Sequence, residues 1–320
     1  MIREKIPLAL TVHFVSLSYA ISLALLPVDV FKDRINYFVY AESSLDILYR
    51  FMKMGWLSLL SNEPIWLLIN TGLAFFFEPD FIIRLLVFFS ALFIARIILL
   101  HHSKELGWCL LFLLFPMVIK NHIVHLRQGV AIAFFLIGWY TNKRWIRWVF
   151  WGLTPFIHTS FVFVLAIYFL TIVMKKNRLA ADLRSLCYIG AAFVISFGLG
   201  WLATIVGARQ GHIYKMTHAS ISGLGFLFWL CILIIMWLQG KSFLKRYCFE
   251  VGGLLVYLVS YWLIPVSARI FESMLLLILV SGLNLTGWRR LAFLIAISCF
   301  CILQYIIRTN QPWLGFGFVS

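Results

Sequence analysis

Residues 121–160 read NHIVHLRQGVAIAFFLIGWYTNKRWIRWVFWGLTPFIHTS. Their pattern predicts an apolar helix over about 130–141, followed by a second apolar run that breaks at Pro155. Polar residues flank both runs: His122, His125, Arg127, Gln128 and Gly129 come before the first, Lys143, Arg144 and Arg147 follow it, and His158, Thr159 and Ser160 follow the second. Because ionisable groups at membrane depth are energetically expensive, such residues indicate a functional site.

The composition of the whole chain is that of a membrane protein. Of its 320 residues, 63% are hydrophobic and only 12% are charged, and the mean hydropathy is +0.96. A soluble domain is not built this way. Since every backbone polar group in lipid must be paired internally, the long apolar runs are predicted to be helices of an all-α polytopic membrane protein.

The formal net charge of +15 is distributed in short clusters between apolar runs. This placement is typical of cytoplasmic loops under the positive-inside rule, and it argues against a nucleic-acid surface because the predicted spans separate the clusters. The clusters are Lys143, Arg144 and Arg147; Lys175, Lys176, Arg178 and Arg184; Lys241, Lys245 and Arg246; and Arg289 and Arg290.

The residue types that bind metals are not arranged as metal ligands. No HExxH motif or carboxylate-rich triad occurs, so neither a metal nor a cofactor is expected. The six cysteines have no ligand spacing and are expected to pack as small hydrophobic side chains at Cys109, Cys187, Cys231, Cys248, Cys299 and Cys301.

The hydropathy pattern predicts one transmembrane domain over residues 1–320 with about 11 crossings. The predicted spans are 6–27, 81–100, 106–119, 129–142, the broken hairpin 148–157 and 159–174, then 186–206, 224–239, 247–266, 270–287 and 291–307. The outer face is expected to carry a stretch over 28–63 with an amphipathic surface helix, and a second loop over 207–223. The apolar run 64–77 is short and is interpreted as re-entrant or interfacial.

Several cationic residues fall on the outer side of this topology. Arg127 and Arg269 begin two predicted helices that run inward, and Arg209 lies in an outer loop with His212 and Lys215. A helix N-terminus presents free N–H groups, and arginine adds planar donors suited to phosphate. The pattern therefore predicts an outward-facing basic cavity for a phosphate or diphosphate at the level of the lipid headgroups.

Each of these residues also has a purely structural interpretation. Arg127 could reach the outer headgroups, and Arg269 could pair with Glu272 one helical turn away. His158 could be a hydrogen-bonded packing residue beside the proline break. Asp33 could pair with the adjacent Arg34, while His122 and His125 could be interfacial surface groups.

Three parts of the sequence resemble a known family. They are HLRQGVAIAFFLIGWY with the later PFIHTSFVFV, DRINYFVY with the later LDILYRFMKMGWLSLLSNEPIWLLIN, and PVSARIFESMLLLI. Together they are similar to the EpsG-like, Wzy-type polysaccharide polymerases and cover most of residues 30–280. Thr159 separates His158 from Ser160, so this chain has the His-x-Ser form rather than the direct His-Ser that is also common in the family.

This resemblance implies a fold like the multi-span GT-C glycosyltransferase class and an enzyme of the bacterial inner membrane whose active site faces the periplasm. Such a polymerase joins undecaprenyl-diphosphate-linked oligosaccharide repeats into O-antigen or capsule, and undecaprenyl diphosphate is the leaving group. The implied partners are the lipid-linked donor and acceptor glycans, membrane lipid and, as a candidate, a chain-length regulator protein, with no nucleic acid.

The expected roles follow from this chemistry. Asp33 or His158 is the candidate base, Arg127, Arg269 and Arg209 are candidates to stabilise the diphosphate, and Gln128, His125 and Tyr37 are candidate substrate contacts. A flippase or transporter of lipid-linked sugars is one alternative. A transporter predicts polar residues on both faces and internal symmetry, whereas these residues gather on one face. An O-antigen ligase or a membrane acyltransferase is another.

Overall fold

The computed structural model describes residues 5–205, 223–264 and 266–318, and these ranges form sixteen α-helices in two units. The first unit comprises Met1–Thr159 and Cys301–Ser320, and the second comprises Ser160–Phe300. Within the described ranges the only β-type pairing is an isolated bridge between Phe31 and Gly317. The all-helical class is confirmed for this part of the chain.

The first unit contains nine helices in chain order. They are α1 (Lys5–Ala24), α2 (Arg34–Lys53), α3 (Trp56–Ser61), α4 (Pro64–Ala74), α5 (Pro79–His101), α6 (Leu106–Leu113), α7 (Pro116–Ile123), α8 (Leu126–Tyr140) and α9 (Arg144–Ile157). The long apolar helix α5 packs against both α1 and α8, while α2 packs on α4, and α9 packs on α8 and α4. Because α4 packs on α9, the residue before α4 lies near the residue that follows α9, and the candidate site is built there.

The second unit contains the remaining helices. They are α10 (Ser160–Lys176), α11 (Ala181–Ile205), α12 (Gly223–Leu238), α13 (Lys241–Arg246), α14 (Cys248–Ser260), α15 (Ser267–Gly282) and α16 (Gly287–Arg308), whose C-terminal part belongs to the first unit. Its core is α14, which packs against α11 and α15. Gly252 allows the Tyr188 ring to lie directly against α14, because a Cβ at that position would come within 2.2 Å of the ring.

Fewer helices are long enough to cross a membrane than the sequence predicts. Three described helices qualify, namely Pro79–His101, Ala181–Gly198 and Gly287–Arg308, and a fourth crossing is obtained if α6 and α7 count as one bent span. Other apolar helices, such as Pro64–Ala74 and Leu126–Tyr140, have 10–17 residues, whereas a crossing needs about 20. The apolar helices are compatible with a membrane protein, but the predicted number of about 11 crossings is not confirmed.

The predicted span over 106–119 is divided by a bend. Helices α6 and α7 meet at 70°, and Phe115 between them is extended with ψ of 130°. The residue before a proline disfavours the helical conformation, so Pro116 ends one helix and begins the next.

The break expected at Pro155 occurs three residues later. Helix α9 continues through Pro155 to Ile157, and the chain becomes extended only at His158. Proline cannot donate to the carbonyl four residues earlier, which is that of Trp151. The Thr154 hydroxyl donates to this carbonyl at 2.7 Å, so the missing backbone hydrogen bond is replaced and the helix persists.

The C-terminal segment is attached to the loop that precedes α2. The backbone N–H of Lys32 donates to the carbonyl of Phe316 at 3.0 Å, and that of Phe318 donates to the carbonyl of Val30 at 3.1 Å. Phe31 and Phe316 also pack in one apolar cluster with Ile123 and Val124. These contacts hold the start of α2 in place within the first unit.

Candidate functional site

Glu63 is the centre of a buried polar cluster in the first unit. Its Oε1 accepts hydrogen bonds from His158 Nδ1 at 2.9 Å and from the backbone N–H of Thr159 at 3.1 Å. Its Oε2 forms an ion pair with Arg127 Nη1. Because an ionised carboxylate only accepts, these contacts require the proton of His158 to lie on Nδ1.

Three chain breaks supply the members of this cluster. Glu63 lies in the turn between α3 and α4 with a left-handed φ of 58°, and Pro64 begins α4 directly after it. Thr159 lies between α9 and α10, where its N–H has no helical acceptor, and Arg127 is in the first turn of α8. A non-glycine residue in the left-handed region is strained, and such residues cluster at functional sites.

The side chain of Glu63 is only 5% exposed, yet it is ionised. Burial raises the pKa of this carboxyl, but the adjacent Arg127 charge and the hydrogen bonds from His158 and Thr159 outweigh that effect and hold the pKa below its ordinary value. A carboxylate of this kind orients its partners and is a poor proton acceptor at neutral pH.

Aromatic side chains of α2 and α4 surround the guanidinium of Arg127. Its Cζ lies 5.3 Å from the ring centroid of Tyr40, and the Tyr37 hydroxyl is close to the same group. Tyr37, Tyr40 and Trp66 contact one another, with ring centroids 5.8–6.4 Å apart. An aromatic wall of this type stabilises a cation and offers flat surfaces to a sugar or an apolar chain.

The Arg-Gln-Gly sequence has a packing requirement at Gly129. A Cβ on this residue would lie 2.3 Å from the backbone carbonyl oxygen of Asn121 at the end of α7. Gln128 is buried beside it, and His125 is half-buried at the N-cap of α8. The glycine therefore allows α8 to approach α7 closely enough to hold Arg127 at the cluster.

His122 is a core residue rather than the interfacial group that the sequence alternative proposed. It is fully buried, one ring nitrogen is 3.2 Å from the hydroxyl of Ser90, and its ring lies edge-on to Tyr19 at 6.0 Å. Its position within the bundle supports packing and not substrate contact.

The other predicted site residues have different outcomes. Asp33 is exposed, its carboxylate makes no capping hydrogen bond, and no ion pair with Arg34 forms between these two described residues. Arg269 is exposed in the first turn of α15 in the second unit, so its share in a site with Arg127 stays a prediction. Arg209 lies outside the described residues, as does nearly all of the predicted loop 207–223.

Sequence reasoning selected Arg127, His158 and Tyr37, which the structure brings together, but it did not select Glu63. The available signal was an acidic residue directly before a proline at the start of an apolar run, in NEPIW. In the part of the chain that the structure describes, no group of three or more His, Cys, Asp or Glu side chains is arranged to hold a metal ion.

The first unit also contains an apolar groove of about 440 Å³. It is formed by α4, α5 and α8, and we call it the α4–α5–α8 groove. Its lining includes Leu68, Leu73, Phe89, Phe93, Val130 and Phe134. Both α4 and α8 begin at the Glu63–Arg127 ion pair, so the groove follows the same helices away from the charged cluster.

Comparison of the chain with protein-family models, curated proteins and solved structures finds no match. In the part of the chain that the structure describes, the fold defines an all-helical protein with three to four candidate membrane spans.

Proposed function

We propose that this chain is a polysaccharide polymerase that joins undecaprenyl-diphosphate-linked oligosaccharide repeats at the periplasmic face of a bacterial inner membrane. The product is an O-antigen or capsular polysaccharide. The proposal rests on the resemblance of the quoted segments to EpsG-like, Wzy-type polymerases and on the chemistry of the Glu63 cluster.

The observation that carries the proposal is that α4 and α8, whose first residues lie at the charged cluster, also form two walls of an apolar groove. Leu68 follows Glu63 by about 7.5 Å along α4, and Val130 follows Arg127 by about 4.5 Å along α8, at 1.5 Å per residue. An amphiphile with a polar head and a long apolar chain fits this arrangement. A polyprenyl-diphosphate-linked sugar has these two properties.

The reaction requires a base, a donor and a stabilised leaving group. An acceptor sugar hydroxyl attacks the anomeric carbon of the donor, a new C–O bond forms, and the bond from that carbon to the diphosphate oxygen breaks. The diphosphate leaves with the electron pair, while the base takes the hydroxyl proton. Cationic side chains stabilise the charge that develops on the leaving oxygen.

His158 is the preferred base of the two candidates. Its Nδ1 proton is held by Glu63, which leaves Nε2 as the basic nitrogen, and the carboxylate stabilises the imidazolium that forms on proton transfer. Asp33 is exposed and has no comparable partner that would orient it. The cluster therefore favours His158 as the base and Glu63 as its positioning residue.

The test is extension of lipid-linked repeats by the purified full-length protein in lipid nanodiscs, with EDTA and without nucleotide. We expect a ladder of polymer and release of undecaprenyl diphosphate. Movement of the labelled lipid between leaflets without a new glycosidic bond would identify a flippase. Transfer of a glycan onto a different lipid acceptor would identify a ligase, and either result would overturn the proposal.

A further inference from the structure

Arg34 is a buried cation that the Glu63 cluster does not use. It is the first residue of α2 and is only 2% exposed. Its Nε and Nη1 atoms are buried and have no hydrogen-bond partner, and no ion pair joins its guanidinium to a described residue. Phe31 provides one favourable contact, with its ring centroid 5.4 Å from Arg34 Cζ.

The carboxylates of Asp80 and Asp33 form no ion pair with this guanidinium, although Asp80 acts on it electrostatically. Asp80 is bonded to Arg84 at 2.7 Å, and Arg84 also donates to the carbonyls of Ala24 and Leu26. Asp33 is exposed and its carboxylate makes no capping hydrogen bond. A buried charge without a partner is destabilising, so this arrangement calls for an anion from outside the chain.

The charge of Arg34 persists at neutral pH. Burial lowers the pKa of its guanidinium to about 10, which is still well above 7. The residues around it in sequence are exposed, so the backbone at Arg34 lies at the surface of the first unit; they are Lys32, Asp33, Ile35 and Asn36. A ligand therefore needs only a short path to reach it.

Arg34 shares one helix face with the aromatic wall of the Glu63 cluster. Arg34, Tyr37 and Tyr40 are spaced three residues apart and are all buried. Tyr37 is within electrostatic range of both Arg34 and Arg127. Helical geometry separates the Cα atoms of Arg34 and Tyr40 by about 9 Å along the axis.

We propose that Arg34 binds the phosphoryl group of a phosphate ester, with Tyr37 between this anion site and the Arg127–Glu63 pair. Arginine presents a planar pair of N–H donors that matches two phosphate oxygens, and the charge of Arg127 is already compensated by Glu63. This inference deepens the proposed function and rests on it for the identity of the ester as a lipid-carrier diphosphate.

The test measures binding of geranylgeranyl diphosphate to the full-length protein in detergent, together with the thermal unfolding midpoint. We expect Arg34→Gln to weaken binding by about 10- to 100-fold, since it removes a charged hydrogen bond. Its midpoint without ligand should equal or exceed that of the wild type, and the increase caused by the ligand should disappear. Arg50→Gln, an exposed position on the same helix, should bind like the wild type.

Binding by Arg34→Gln within about twofold of the wild type, or no binding by the wild type itself, overturns the inference. If Arg34→Gln does not fold, Arg34→Lys replaces it in the test, because lysine keeps the charge but lacks the planar donors. Weaker probe binding by Arg34→Lys supports the site, and unchanged binding overturns it. Displacement of the probe by phosphatidylglycerol or by inorganic pyrophosphate also supports a phosphoryl site if it depends on Arg34. The more effective competitor shows whether the natural ligand is a lipid headgroup or a free phosphate. If binding depends on Arg34 but the protein forms no polymer, the proposed polymerase function is wrong and the phosphoryl site at Arg34 stands.

Discussion

Glu63 divides its two carboxylate oxygens between a cation and a histidine. Oε2 compensates Arg127, while Oε1 orients His158 and accepts from Thr159. Because these contacts lower its pKa, the stability that they contribute is fully present above the ordinary carboxyl pKa and is lost as the pH falls through the lowered value. At neutral pH Glu63 is therefore ionised and its contacts are fully formed.

Glu63→Gln should be strongly destabilising because it leaves Arg127 without a counter-charge. We expect a loss of about 3–5 kcal/mol in the free energy of unfolding, measured in mixed micelles. The matched control is Asp182→Asn, which removes an exposed partner of Lys241 and should cost about 0–1 kcal/mol. Equal effects of the two substitutions would contradict the buried pair.

His158→Gln tests the role of the base separately from binding. We expect the rate of polymer formation to fall by about 10²- to 10⁴-fold, the usual contribution of a general base. Affinity for geranylgeranyl diphosphate should change little, because the base acts on the acceptor hydroxyl. Asp33→Asn is the comparison, and a larger loss of rate in Asp33→Asn than in His158→Gln would reverse the assignment.

At the level of elements, the close approach of α7 and α8 depends on Gly129. Gly129→Ala would place a methyl group 2.3 Å from the carbonyl oxygen of Asn121, which belongs to the backbone and cannot rotate away. We expect a loss of about 1–3 kcal/mol in stability. Gly152→Ala, at an open and exposed position in α9, should instead be neutral or stabilising by up to about 1 kcal/mol.

The hydroxyl of Thr154 allows α9 to pass through Pro155. Thr154→Val keeps the shape of the side chain but leaves the buried Trp151 carbonyl without its donor. We therefore expect the free energy of unfolding to fall by about 1–3 kcal/mol. Thr154→Ser keeps the hydroxyl and should lose less. The free energies of unfolding of the two variants check this, and a smaller loss in Thr154→Val would refute the compensation.

At the level of the whole molecule, the proposed sidedness can be tested without knowing the substrate. The basic cluster at Lys143, Arg144 and Arg147 predicts a cytoplasmic loop, and the stretch 28–63 is predicted to lie outside. In a variant whose native cysteines are replaced by serine, Asn36→Cys should react with an impermeant maleimide in spheroplasts. Lys143→Cys should react only after permeabilisation, and the opposite pattern would invert the topology.

The predicted number of crossings is not confirmed among the described residues, because hydropathy averages over breaks in the backbone. The run over 106–119 is apolar throughout, yet Pro116 bends it by 70°, and 64–77 contains a helix of only eleven residues. Average hydropathy is insensitive to such bends, whereas a spanning helix must be continuous over about 20 residues. The short length of 64–77 was itself visible in the sequence.

Composition and local pattern determined the helical class, and they led to the selection of Arg127 and His158 as candidate site residues. The amphipathic surface helix within 28–63 and the roles of these two residues stay predictions. These features depend on neighbouring positions, where periodicity and the chemistry of single residues are visible. Only the tertiary structure revealed Glu63 as their common partner, because it lies 64 residues from Arg127 and 95 from His158. It also revealed that Arg34 is buried without an ion-pair partner among the described residues. Contacts at such separations follow from the packing of α2, α4, α8 and α9, which no local sequence pattern specifies.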